Sequence, residues 1–147
     1  MSNYNLQKFV KEYETDYDIA LREIKNGRKE SHWMWYIFPQ LKGLGMSYMA
    51  NYYGLSGIDE AKAFLSDPYL GVRLKEITSA LLSLKTSDAL EVMGYPDNLK
   101  LKSSMTLFAL ASDLITTDEN VFKQVLDKYF NGEYDTLTIK LLKRKEA

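Results

Sequence analysis

The stretch LQKFVKEYETDYDIALREI, residues 6–24, decides the fold class. Leu6, Phe9, Val10, Tyr13, Tyr17, Ala20, Leu21 and Ile24 recur there at spacings of three and four. Such spacing sets them on one face of an amphipathic α-helix. Thr15 and Asp16 predict a break into two helices, and Gly27 predicts the terminator, since glycine tolerates the left-handed backbone that ends a helix.

Outward from this stretch, helical punctuation continues. Trp33-Met34-Trp35-Tyr36-Ile37-Phe38 is apolar on every side, so its period does not separate a buried helix from a buried strand. Pro39 stops it, Gly43 and Gly45 predict a turn, and a short helix is expected from Ser47 to Tyr53. Ser56 with Asp59 predicts a capping box opening a helix through Leu65. Asp67-Pro68 reads as a cap followed by proline at the first helical position. Leu70, Leu74, Ile77, Leu81 and Leu84 follow as a heptad-like stripe. Ser87 is expected to cap a short helix ending at Gly94, and Pro96-Asp97 to start one reaching Ala111. Thr116 with Glu119 predicts a second box, ahead of the amphipathic run Val121, Phe122, Val125, Leu126, Tyr129 and Phe130. Asp135 caps a last helix whose Lys143-Arg144-Lys145 end suits the carbonyl pole of the dipole. The expectation is an all-α, compact single domain over residues 1–147, with about seven to nine helices and no hairpin.

Composition narrows the chemistry. The chain has no cysteine and one histidine, which excludes disulfides, thiolate sites, cysteine nucleophiles and a multi-histidine zinc site. Carboxylates do not cluster at ligand spacing, so neither metal nor cofactor is expected. A net charge of -1 gives no global field toward duplex nucleic acid or an anionic membrane. Residues 1–11 lack the basic flank and apolar run of a signal peptide, and no apolar run approaches spanning length. A soluble cytoplasmic protein is expected. Eleven tyrosines and two tryptophans are unusual, and such rings with polar tips serve cores and ligand pockets alike.

Two segments do not look like ordinary scaffold. One is Gly27-Arg28-Lys29-x-Ser31-His32-Trp33-Met34-Trp35-x-Ile37-Phe38-Pro39-Gln40. The other runs from Gly94-Tyr95-Pro96-Asp97-Asn98-Leu99 into the string Lys100-Leu101-x-Ser103-Ser104-Met105-Thr106-Leu107-Phe108. On these strings the chain resembles the bacterial DUF1810 family, whose members are often labelled calpastatin without physical reason. The resemblance runs from Leu6-x-x-Phe9-Val10 to Asp127-Lys128-Tyr129-Phe130. The family usually carries arginine where this chain has Lys102, which keeps the charge. The resemblance implies a mainly α-helical fold and brings no established activity or substrate.

The residues themselves suggest an anionic-ligand pocket. Arg28 and Lys29 precede a possible helix start, where cations and free amides together make an anion site. Ser31, His32, Trp35 and Gln40 follow, and adjacent aromatic rings can stack on a base or sugar. Lys100, Lys102, Ser103 and Ser104 offer a second phosphate-friendly group. The leading expectation is a small-molecule binding domain that binds or sequesters an anionic nucleotide or ADP-ribose-like ligand in a basic, aromatic cleft. An enzyme acting on a nucleotide-like substrate, with His32 as general acid or base, needs that histidine within reach of Ser103, Ser104 or a carboxylate. A protein-interaction domain needs Trp33 and Trp35 on an open surface. The bland reading is that the large aromatics are core, Ser103 and Ser104 bond to backbone, and the lysines are solvated.

Overall fold

The computed structural model describes residues 4–146. Nine helices are found among them, and no strand: α1 Gln7–Lys25, α2 Met34–Ile37, α3 Tyr48–Tyr53, α4 Ile58–Ser66, α5 Pro68–Leu82, α6 Ala89–Met93, α7 Asp97–Ile115, α8 Val121–Phe130 and α9 Thr136–Glu146. The apolar face of α1 is buried as its spacing requires, with Phe9, Tyr13, Tyr17, Ala20 and Ile24 inside. That helix runs unbroken through Thr15 and Asp16, contrary to the expected division. Thr15 bonds back to the Lys11 carbonyl within the helix, and Asp16 accepts from the Tyr36 hydroxyl, so neither competes for the backbone ahead of it. Gly27 does end the helix, at φ +82°.

Helix α7 is the central element, buried along ten of its nineteen residues and packed by α4, α6, α8 and α9. It extends to Ile115, past the expected end at Ala111. Around it the buried side chains form one hydrophobic cluster, with Phe64, Phe108 and Phe122 in successive ring contact. Pairing of α1 with α5 and of α5 with α8 closes the other side.

Several caps differ from expectation by one or a few residues. Helix α4 starts after Gly57, and the Ser56 N–H donates to the Glu60 carboxylate, not to Asp59, at 2.8 Å. Asp88, not Ser87, caps α6, and Asn120, not Thr116, caps α8. Thr116 instead closes α7 and accepts from the Asp118 N–H. Asp67 and Asp135 perform as read, each accepting from backbone N–H groups of the helix that follows. The ambiguous aromatic run resolves as the one-turn helix α2. Beyond it a two-bond parallel contact between Leu41 and Leu55 ties off the glycine turn.

The tyrosines explain themselves in this core. Tyr13 donates to the Ile37 carbonyl, Tyr17 to Arg73 and Glu76, and Tyr129 to the Leu81 carbonyl. Tyr36 and Tyr53 donate to Asp16 and Glu12 on α1. Burial, then these carboxylate bonds, push both hydroxyls above the ordinary tyrosine range.

Candidate functional site

The loop between α1 and α2 is built on one carboxylate. Glu23, 6% exposed, lies beside the buried stripe of α1. It accepts from the N–H groups of Glu30 and Ser31 at 2.8 and 2.9 Å, the Ser31 hydroxyl at 2.5 Å and the Trp33 indole N–H at 2.8 Å. Burial alone would raise the Glu23 pKa. The bonds from Ser31, Glu30 and Trp33 outweigh it and hold the carboxyl at about 2, below the ordinary 4.5. The amides that the sequence suggested for a ligand anion are therefore occupied by the protein's own anion. Ser31 is committed to that bond, and α2, only four residues long, presents no N-terminal site.

Lys29 joins this loop to the second signature string. Its side chain is 6% exposed, and its Nζ lies 2.8 Å from Asp97 Oδ2 and donates to the Ser31 carbonyl at 2.6 Å. Its backbone N–H donates to the Val92 carbonyl. Asp97 also faces Lys100, at 3.7 Å, and the Lys100 ammonium sits 5.6 Å from the centre of the Trp35 ring. Asp97 is thus shared between a buried ammonium and a more accessible one.

A cleft of about 250 Å³ opens at this junction, lined by Lys29, His32, Trp35, Tyr95, Pro96 and Asp97. Trp35 is half-buried, while His32 and Tyr95 are exposed. Across Trp35 lies a crevice of about 10 Å³, which Gln40 and Lys100 line. Only about one water fits such a space.

The ten candidate residues therefore separate. Lys29, His32, Trp35, Gln40 and Lys100 meet around the cleft and its crevice. Arg28 is exposed, makes no ion pair among the described residues and does not line the cleft. Lys102 points away from Lys100, because two residues turn an α-helix by about 200°. It faces Glu133 at 3.6 Å and the Phe130 ring instead. Ser103 is buried and donates to the Leu99 carbonyl, and Ser104 is fully buried inside the core. Neither serine lines the cleft. His32 makes no side-chain hydrogen bond to Ser103, Ser104 or a carboxylate among the described residues, and it shares the cleft with Asp97. Trp33 is 1% exposed, which removes the open pair of tryptophans that an interaction groove required.

Two participants were not among the candidate residues. Glu23 was legible in principle, as part of an acidic stripe Glu12, Asp16, Glu23 at helical spacing beside the apolar face of α1. Tyr95 falls inside the second segment, but only the turn that precedes α7 brings it to the cleft.

A family model described as a protein of unknown function, DUF1810, matches residues 3–142. The chain belongs to the DUF1810 family. This DUF1810 chain is also similar to a solved structure, the conserved hypothetical protein Rv1873 from Mycobacterium tuberculosis. The two share 42% identity and a TM-score of 0.91, over 97% of this chain and 99% of that one. A comparison with curated proteins finds no match. Among the described residues of this DUF1810 member no helix is long and apolar enough to cross a membrane.

Proposed function

We propose that this cleft binds a small, flat, anionic ligand of mononucleotide size, and that the protein binds or sequesters it without transforming it. The observation that carries this reading is the half-buried Trp35 ring, which lines the 250 Å³ cleft and has the Lys100 ammonium, in the adjoining crevice, 5.6 Å from its centre. A cation next to an aromatic face is the pairing that a base or sugar ring with an attached anion requires. Asp97 offsets one of the two lysines, leaving one net positive charge among the three.

Size refines the expectation. Pockets for drug-sized ligands span roughly 300–1,000 Å³. A cleft of about 250 Å³ suits a nucleobase with one anionic group better than a whole ADP-ribose-like molecule. The base stacks on Trp35 against Tyr95, and the anion meets Lys100 and His32. Binding ranks above catalysis because His32 lacks an orienting partner, and an acid or base without one is poorly aimed. A nucleotide ligand, together with a chain free of cysteine, fits a cytoplasmic setting.

Native mass spectrometry of the purified protein, followed by thermal shift with nucleoside monophosphates, tests this reading. A co-purified or stabilising mononucleotide is expected, with the stabilisation lost in Lys100→Ala. No bound mass, and no shift for any nucleotide at millimolar concentration, would refute it.

A further inference from the structure

A second feature lies toward the C-terminal end of α7, away from the cleft at its start. Between α7 and α9 runs an apolar trough of about 350 Å³, lined by Leu110 and Leu114 of α7, Ile139 and Leu142 of α9, and Ile58 of α4. It continues past Ile58 and Leu142 into a second depression of about 200 Å³. Leu114 is 63% exposed, a large side chain with no cover in the single chain. Leu110 and Leu114 are one i, i+4 ridge, and Ile139 and Leu142 one i, i+3 ridge. Under a second copy each wall meets the opposite wall of the partner, and the exposed apolar side chains along both are closed from water.

The charges along this trough are ordered. The α9 wall carries Lys143 in the first section and Lys145 in the second. The opposite wall carries Asp113 of α7 in the first and Asp59 of α4 in the second. Neither lysine forms an ion pair among the described residues. Asp113 takes one bond from the Asn120 amide at 3.0 Å, and Asp59 has Lys62 at 4.0 Å, leaving carboxylate capacity at both.

This pattern is self-complementary. A two-fold axis along the trough exchanges its walls while keeping each section in register. It therefore sets the basic wall of each copy against the acidic wall of the other, pairing Asp113 with Lys143 and Asp59 with Lys145 twice over. An axis across the trough would instead oppose like charges. Such isologous contact is the commonest route to a homo-oligomer. We propose that this face is a homodimer interface, with a second copy of the chain seated in the trough along that axis. A standard interface takes about 800 Å² from each partner, roughly a tenth of the 7991 Å² surface here.

Sedimentation equilibrium of the full chain from about 1 µM to 1 mM tests it. A monomer–dimer equilibrium is expected, with Leu114→Glu shifting it to monomer; circular dichroism checks that this exposed position leaves the fold intact. Asp113→Lys and Lys143→Glu should each weaken association at least tenfold. Mixing those two variants, or combining both changes in one chain, should restore it. A monomer at every concentration overturns the proposal, including one that instead takes up a foreign helix. So does a dimer indifferent to Leu114→Glu, or one that the single charge reversals strengthen.

Discussion

Replacing Glu23 with glutamine removes one charge and changes no volume, so it isolates what the buried carboxylate does. Its hydrogen bonds hold the carboxyl at about 2, well below the ordinary 4.5. Each pH unit of that lowering corresponds to about 1.4 kcal/mol of preference for the charged form in the fold, so the ionised group contributes on the order of 3 kcal/mol. Four donors support that size: two backbone N–H groups, one hydroxyl and the buried Trp33 indole. A glutamine oxygen satisfies some of them, but its NH₂ meets donors rather than acceptors. Urea denaturation of Glu23→Gln at pH 7 should show a loss of about 3 kcal/mol, or roughly 6–12 °C in Tm. The folded pKa is depressed, so this stability is present above pH 4.5 and is lost as pH falls toward 2. The gap between wild type and Glu23→Gln should therefore narrow steadily below about pH 4.5. A loss under about 1 kcal/mol at pH 7, or a gap equal at pH 7 and pH 3, would refute the reasoning.

Two other positions give sharp expectations. Asp97→Ala leaves the Lys29 ammonium buried without its carboxylate and should cost about 3 kcal/mol in chemical denaturation. Lys29→Met should cost less, because Asp97 is the more exposed partner and keeps Lys100 nearby; equal losses would contradict this. At Gly71 a Cβ would sit 2.1 Å from the Leu65 carbonyl oxygen, a backbone atom with no room to yield. Gly71→Ala should destabilise the α4–α5 corner by about 3 kcal/mol or more, far beyond the small gain an open helical site would show. An unchanged Tm would mean that the corner is not packed so closely.

How much of this the sequence disclosed follows from which interactions are local. Helix α1 was readable from three- and four-residue spacing, and the Asp67 and Asp135 caps from the residues beside them, because the physics lies within a turn or two. Cap positions slipped where two polar residues competed. Thr116 and Asn120 both offer an oxygen, and the choice depends on Asn120 also reaching the Ala109 carbonyl across the turn. The two signature strings were visible as strings, and Lys29, Trp35 and Lys100 do meet. Their partners are set by pairings remote in sequence, such as Lys29 with Asp97, which no local period reports. The same holds for Glu23. Its role as an internal anion depends on the loop folding back onto α1, and that converts Ser31 from an expected ligand contact into scaffold.

The central claim, that the cleft holds a flat anion through Lys100 and Trp35, is tested most directly by calorimetric titration with adenosine monophosphate at low salt. Wild type should bind, Lys100→Ala and Trp35→Ala should each weaken affinity by about 1–3 kcal/mol, and Arg28→Ala should change little because Arg28 lines neither the cleft nor the crevice that Lys100 shares with Trp35. No heat with wild type, or a loss confined to Arg28→Ala, would contradict the account.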